Sequence, residues 1–367
     1  MKKIFISLLA VAALAACTKS EVAYEASAEI GFAPAVKNVT KAAETGTLNS
    51  DNQLGIWAFW NGVNGSAPQA SATYANYTDA YLADALFINR TTTNDGTTTP
   101  TANWGGQTSY PWPTNGALVF AGYNKLAGAG FSASYSFIDN AKTTNVNEEN
   151  TMTFTNYTQS TNLATTFDLC WFGRTASSYN NRTNGNAVSV TMSHALTWIT
   201  INIKGDATTA PTGDGAKPWK VTKATLLNVN TQGTGTCVFD AESKASATWT
   251  SANPQNMILK SAEQPLLTTA ASYESVTDGV VVIPQTPVML EVEYTYPVGD
   301  TYKPGKTTVN LTLDGTKKED GTTANTKIEK WLSGTHYIYT IVFKANEILV
   351  APSYGEWATS DQSVTVE

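Results

Sequence analysis

Three cysteines and two histidines are the side chains best suited to nucleophilic, redox or metal chemistry: Cys17, Cys170, Cys237, His194 and His336. Neither Cys170 nor Cys237 has a histidine, lysine or arginine beside it in the sequence to activate its thiol. In an oxidising compartment these two cysteines could form a disulfide, but each lies in an apolar segment, so we expect two separately buried free thiols. His194 lies on the apolar face of a predicted strand, which favours a core histidine over a ligand.

Metal ligands and catalytic carboxylates are not indicated by the spacing of the remaining residues. Two histidines are too few for a histidine-rich metal site, and no cysteine or carboxylate spacing completes one. Asp168 and Glu356 lie near tryptophans, as glycosidase carboxylates do, but nothing in the sequence brings them together. Asp206 and Asp214 match no calcium-binding loop, and turn formation explains them. The chain also lacks the G-x-S-x-G, H-E-x-x-H and P-loop motifs. We therefore expect no metal, no cofactor and no enzymatic activity.

Cys17 ends an N-terminal export signal. Lys2 and Lys3 precede an apolar run over residues 4–13, which is too short to span a bilayer and is typical of a secretory signal peptide. The run ends in Leu14-Ala15-Ala16-Cys17, which resembles the lipobox of bacterial lipoproteins. We therefore predict a signal peptide over residues 1–17, with Cys17 lipidated and the precursor anchored in the outer membrane.

Residues 18–41 combine a strand pattern with a basic cleavage site. One face of a period-two pattern carries Val22, Tyr24, Ala26, Ala28, Ile30 and Phe32, and the other carries Glu21, Glu25, Ser27 and Glu29. Such alternation predicts a strand with one buried face. The strand closes at Pro34, and Lys41 offers a trypsin-like protease a site before Ala42. We predict that cleavage between Lys41 and Ala42 removes residues 18–41.

The composition of the whole chain is that of an all-β protein. Charged residues make up only 14% of its 367 residues and aromatic residues 10%, which suits short strands joined by polar turns. The formal net charge is −7 and no basic patch is present, so nucleic acid is not an expected partner. The polar stretch over residues 177–186 is the expected boundary between two β-sandwich domains, residues 42–185 and 186–367.

Period-two patterns place several of the expected strands. They recur over residues 288–296, 309–313 and 337–343, and their repetition without βαβ units predicts antiparallel sandwiches. Within residues 188–204 the apolar positions change from even to odd numbers, which predicts a bulge or a strand that changes sheets. Residues 77–88 fit a short helix or a strand about equally well.

Trp104, Tyr110 and Trp112 form an aromatic cluster ahead of an apolar strand. Aromatic clusters can bind sugars by stacking, but we favour aromatic residues that cover one end of a sandwich.

Motifs spread over nearly the whole chain resemble those of the fimbrillin family, the pilin-like lipoproteins of type V pili. The pieces that carry the resemblance are Leu14–Cys17, Val39–Ala42, Trp104, Tyr110 and Trp112 before the ALVFAGY strand, Met192–Leu196, Val282–Gln285, Trp331–Gly334 with Tyr337 and Tyr339, and Ile348–Val350 with Trp357. Each motif is weak alone, but their order is specific. The chain departs from the family pattern at Lys41, where an arginine is more usual.

The resemblance implies two transthyretin-like antiparallel β-sandwich domains in tandem and assembly by strand exchange. It implies a structural pilin that is exported as a lipoprotein, cleaved after a basic residue and polymerised head-to-tail into a cell-surface fimbrium that serves adhesion. The expected partners are other pilin subunits in a homopolymeric or mixed pilus, a trypsin-like processing protease, the outer membrane before cleavage, and a host or bacterial surface ligand.

The C-terminal tail is the expected donor of the exchanged strand. Its apolar positions are Ile348, Val350, Trp357, Val364 and Val366. Removal of residues 18–41 would leave an apolar groove with open backbone groups, which an alternating strand of another subunit can fill. Three alternatives remain open: a tail that completes its own domain, a tip or anchor subunit of the same pilus, and a monomeric surface lipoprotein that binds glycan or a host ligand.

Overall fold

The computed structural model describes residues 24–36, 52–60, 79–89, 104–108, 110–113, 118–126, 128, 130–136, 151–173, 179–180, 187–239, 245–268, 273–274, 279–318, 320, 323–356 and 364–365. Strands dominate these residues, which confirms the predicted all-β class, and a short 3-10 helix spans Leu163–Thr165. No helix within the described ranges is long and apolar enough to cross a membrane.

The described strands, in chain order, fall before and after the expected domain boundary. Before it lie β1 (Tyr24–Glu29), β2 (Gly31–Val36), β3 (Asn52–Trp60), β4 (Asp79–Asn89), β5 (Trp104–Gly106), β6 (Pro111–Pro113), β7 (Leu118–Leu126), β8 (Ser132–Ser136), β9 (Thr151–Thr158), β10 (Cys170–Phe172) and β11 (Tyr179–Asn180). After it lie β12 (Val188–His194), β13 (Thr197–Gly205), β14 (Lys220–Phe239), β15 (Ala245–Lys260), β16 (Gln264–Pro265), β17 (Tyr273–Glu274), β18 (Val280–Val282), β19 (Met289–Val298), β20 (Thr301–Asn310), β21 (Thr335–Phe343), β22 (Ile348–Glu356) and β23 (Val364–Thr365).

Strands of the N-terminal part, together with β12, pair into a closed ring, which we call the N-terminal barrel. Its order is β10-β12-β2-β5-β4-β3-β7, and β7 pairs back to β10, while β11 extends β7. Along each strand, every second side chain faces the barrel interior, as Leu54, Ile56 and Ala58 of β3 do. β12 runs parallel to β2. The sequence did not predict this parallel pair within an otherwise antiparallel arrangement.

The C-terminal part is a sandwich of two sheets. One sheet has the order β17-β13-β21-β22-β23 with β18 beside β13, and the other has β20-β19-β14-β9-β8 with β15 and β16 beside β14. Both sheets contribute to one buried cluster, including Ile201 of β13, Leu226 of β14, Val292 of β19 and Tyr339 of β21. The expected strands at 288–296 and 337–343 correspond to β19 and β21. β13 and β21 are parallel, which adds a second parallel pair.

Strands from both sides of residue 185 share sheets. β8 and β9 join the sheet of β14, while β12 joins the N-terminal barrel. Another buried cluster packs the outer face of the barrel against the sheet of β14. Its members include Trp57, Tyr123, Phe154, Trp171 and Trp249. The division at residue 185 into two domains stays a prediction.

Two local ambiguities of the sequence are resolved by strand pairing. The phase change within residues 188–204 is a change of sheet, because β12 belongs to the barrel and β13 to the sandwich. Residues 79–89 form strand β4, so the short-helix alternative is wrong. β4 lies between β3 and β5, and these neighbours satisfy its backbone groups in place of helical hydrogen bonds.

Candidate functional site

Strand β2 is built into the middle of the N-terminal barrel. It pairs with β12 in parallel at five positions, from Phe32↔Val188 to Val36↔Met192, and with β5 in antiparallel at two. Of its described pairings, those at Gly31 and Phe32 lie on the β5 side and those from Phe32 to Val36 on the β12 side. Loss of β2 would therefore expose two rows of backbone groups, one on β12 and one on β5.

The side chains of the β2 segment fill the barrel interior. Ile30 and Phe32 are 1% and 0% exposed, and Pro34 is also buried. The Phe32 ring meets the rings of Phe87 and Phe120 edge-on, with centroids 5.0 and 5.1 Å away. Burial of one such side chain is worth about 1.5–3 kcal/mol, and each aromatic pair adds about 0.5–1.5 kcal/mol. Phe32 is thus the central apolar contact of the segment.

The N-terminal strand pattern is divided between two sheets. The strand is interrupted at Ile30, whose backbone N–H donates to the Tyr110 carbonyl at 2.8 Å. Before the break, β1 pairs with β6, and after it, β2 enters the barrel. The prediction that Ile30 and Phe32 are buried and Glu29 is exposed is confirmed. The prediction of one continuous strand is wrong, because the two halves have different partners.

The predicted lipidation and cleavage sites, Cys17, Lys41 and Ala42, lie outside the described residues. In the sequence, residues 37–51 join β2 to β3 and contain the Lys41–Ala42 bond. Cleavage of that bond would leave β2 attached to the barrel through noncovalent contacts alone.

The first part of the predicted donor tail completes the chain's own sandwich. Strand β22 pairs with β21 at nine positions, from Phe343↔Ile348 to Thr335↔Glu356. Val350 is 1% exposed, and its N–H donates to the Lys317 carbonyl at 3.0 Å. Ile348 packs against the same core.

The end of the tail is described only at strand β23. Val364 lies in the two-residue strand β23, which pairs with β22 only at Ser353 and Tyr354. Trp357 and Val366 lie outside the described residues. β22 itself, with nine pairing positions on β21, is an integral strand of the sandwich.

The aromatic cluster considered for sugar stacking is mostly part of the core. Trp104 and Trp112 are each 1% exposed, and Trp112 meets Phe120 edge-on at 5.8 Å. Tyr110 stacks on Phe87 with centroids 5.3 Å apart. Trp104 and Trp112 are enclosed and cannot offer a face to a sugar. They fill the barrel interior rather than cover the end of a sandwich, so the role that we favoured is corrected in this respect.

The two carboxylates singled out from the sequence lie in different parts of the fold, and so do the two cysteines. Asp168 precedes β10 of the barrel, whereas Glu356 ends β22 of the sandwich. Asp206 Oδ1 accepts the N–H groups of Thr208 and Thr209 at 2.8 and 3.2 Å, which confirms its role in a turn. Cys170 and Cys237 are both buried and are not joined by a disulfide, as expected.

The fold adds one neighbour that the sequence order does not show. Cys170 does have a histidine beside it in the fold, because its Sγ lies 3.6 Å from His194 Nδ1. Sequence reasoning missed this contact, since 24 positions separate the two residues and only the pairing of β10 with β12 joins them. It also missed the aromatic residues that receive Phe32, for the same reason.

Comparison with known proteins identifies relatives of this arrangement. A family described as fimbrillin-like matches residues 40–357. A fimbrial protein from Bacteroides vulgatus is similar in structure at 15% identity, with a TM-score of 0.49 over 89% of this chain and 99% of that one. A candidate cell adhesion protein from Bacteroides ovatus is similar at 16% identity, with a TM-score of 0.44 over 92% and 100%. No curated protein sequence matches the chain.

Proposed function

The chain belongs to the fimbrillin-like family of pilus subunits, which are not enzymes, and we propose that it polymerises head-to-tail by donor-strand exchange in a cell-surface fimbrium. The precursor is exported as a lipoprotein through Cys17 and loses residues up to Lys41 to a trypsin-like protease. The vacated position in the barrel then receives the tail of another subunit. We propose a shaft role, since the chain has both a removable strand and a tail.

One observation carries this proposal: β2 is an interior strand of the barrel although it lies upstream of the predicted cleavage site. A propeptide that only blocked a surface would not need the fully buried Phe32. Its removal would open a groove with an apolar floor and two backbone edges. Such a groove recruits an extended strand through main-chain hydrogen bonds, with pockets for alternate side chains.

We assign the donated strand to residues 357–367, with Ile348 and Val350 as the anchored base of the tail. Val364 and Val366 have the i, i+2 spacing with which Ile30 and Phe32 enter the barrel. β22 is committed to its own sandwich by nine pairing positions with β21, which leaves the apolar positions after Glu356 for exchange. Groove and donor lie on different parts of the subunit, so the contact repeats head-to-tail and builds a filament.

The test uses the purified precursor and limited trypsin. We expect mass spectrometry to find a new N-terminus at Ala42 and native gels to show a ladder of polymers. Lys41→Gln should stay uncleaved at that bond and monomeric. Deletion of residues 357–367 should allow cleavage but stop polymerisation, and it leaves β22 in place.

A matched control tests whether polymerisation needs the apolar side chains of the tail or only its length. Val364→Asp with Val366→Asp should block polymerisation, whereas Thr365→Asp, which points the opposite way in an alternating strand, should permit it. Monomers after complete cleavage at Lys41 would refute donor-strand exchange. A cell-surface form that begins at lipidated Cys17 would instead favour an anchor subunit or a monomeric lipoprotein.

A further inference from the structure

A buried cluster of three ligand-type side chains lies where β10 meets β12. Asp168, Cys170 and His194 are 8%, 0% and 5% exposed. His194 Nδ1 lies 2.9 Å from Asp168 Oδ2 and 3.6 Å from Cys170 Sγ. All three ligand atoms lie within 4.8 Å of one another. A carboxylate, a thiol and an imidazole thus converge on one point inside the protein.

The backbone around the cluster is held in a fixed arrangement. Cys170 and His194 are directly paired residues of β10 and β12. The buried Asn124 amide donates to the Asp168 carbonyl and accepts the Cys170 N–H, both at 2.7 Å. Ala195 N–H donates to the Leu169 carbonyl at 2.8 Å. The ligand-type side chains therefore project from a rigid frame, which is the property that a metal site requires.

Asp168 also carries a polar atom that nothing in the described protein satisfies. Its Oδ1 is buried and has no hydrogen-bond partner among the described residues. A buried carboxylate oxygen without a partner costs free energy, so its presence calls for an explanation. A cation held by the cluster would supply the missing interaction, because a carboxylate can bind a metal through both oxygens.

We propose that Asp168, Cys170 and His194 bind a divalent zinc-type metal ion. Thiolate, imidazole and carboxylate are the ligands of protein zinc sites, with Zn–S near 2.3 Å and Zn–N about 2.0–2.1 Å. At a tetrahedral angle, those bonds place sulfur and nitrogen about 3.6 Å apart, which is the observed Sγ···Nδ1 distance. The His194–Asp168 distance of 2.9 Å has to widen by about 0.4 Å to match. This assignment reverses the expectation that His194 is not a ligand.

The metal would fasten β12 to β10 on the side away from β2. β12 has β2 on one edge and β10 on the other, and β10 also closes the barrel onto β7. A bound ion would hold this junction whether or not β2 is present. Binding replaces the Cys170 thiol proton, which is released to solvent, and leaves the imidazole neutral with its proton on Nε2.

Cobalt titration of the tag-free full chain tests the proposal directly. Co²⁺ takes the same ligands as Zn²⁺ and reports a bound thiolate by a charge-transfer band in the near ultraviolet. We expect one equivalent of Co²⁺ to give this band, one equivalent of Zn²⁺ to displace it, and Zn²⁺ to raise the Tm. Cys170→Ser, His194→Gln and Asp168→Asn should each weaken binding by about 100-fold or more, beyond the 10–100-fold that indirect supporting residues cost.

The chain supplies matched controls for the cysteine ligand and for the histidine ligand. Cys237→Ser removes the other buried free thiol, and His336→Gln removes the other histidine. Both variants should bind Co²⁺ as the parent does. Absence of the band in the parent protein overturns the proposal, whatever the variants do. A band that persists in Cys170→Ser or disappears in Cys237→Ser overturns it as well. The precursor needs no cleavage for this test, so its result is independent of polymerisation.

Discussion

Phe32 offers the sharpest test of how the removable strand is held. Its ring is fully buried and meets Phe87 and Phe120 edge-on, with Phe172 6.5 Å away. Truncation of a buried phenylalanine to alanine costs about 3–5 kcal/mol. We expect Phe32→Ala to destabilise the barrel of the precursor by that amount.

The same loss of packing free energy in Phe32→Ala should speed the release of β2 after cleavage at Lys41. Once the chain is cut, only noncovalent contacts retain β2, so a loss of 3–5 kcal/mol weakens retention by roughly 10²–10³-fold or more, at about 1.4 kcal/mol per tenfold. The assay cleaves the precursor with trypsin and follows dissociation of the N-terminal fragment by size-exclusion chromatography and mass spectrometry. Phe32→Ala should release the fragment, and polymerise, much sooner than the parent.

Phe154→Ala is the control for a general loss of stability. Phe154 is also fully buried, but it belongs to the cluster between barrel and sandwich and meets Tyr123 and Phe131. The Phe154→Ala substitution should lower the Tm without a comparable change in the rate of fragment release. Equal release rates for Phe32→Ala and the parent would refute the assignment of Phe32 as the main anchor of β2. Equal rates for the two variants would mean that release follows global unfolding.

Two further predictions concern the sandwich. Burial lowers the pKa of His336, whose ring stacks on Trp198 at 3.5 Å, to about 4 from its usual 6.5. Between pH 4 and 6.5 the unfolded chain therefore binds more protons than the folded chain. The free energy of unfolding should fall by about 3 kcal/mol at most as pH drops from 6.5 to 4. His336→Gln should flatten a plot of denaturation midpoint against pH, and an unchanged slope would contradict this cause. Tyr339 OH donates to the Leu311 carbonyl at 3.0 Å and accepts Trp331 Nε1–H at 2.8 Å. Tyr339→Phe should therefore cost about 1–3 kcal/mol in urea denaturation, and a neutral result would show that these groups find other partners.

Several features of this protein follow from the sequence because they depend on local chemistry. A strand that buries one face must alternate, so residues 288–296 and 337–343 could be recognised as strands without knowledge of their neighbours. The change of phase within residues 188–204 indicated a change of sheet by the same reasoning. The burial of Ile30 and Phe32 follows from their alternation with the exposed Glu29.

Other features depend on partners that lie far away in the sequence, and the tertiary structure alone decided them. The break at Ile30, the parallel pairing of β2 with β12 and the closure of the barrel by β10 are choices of neighbour, and side-chain periodicity carries no information about them. Residues 79–89 form a strand because β3 and β5 flank them.

The Asp168, Cys170 and His194 cluster has the same origin. The sequence alone determined that His194 and Cys170 are buried, since each lies on an apolar face or in an apolar segment. It did not determine that they touch, because contact requires β10 and β12 to pair in one register. Burial is a property of a residue and its near neighbours, whereas a site is a property of backbone pairing between distant strands.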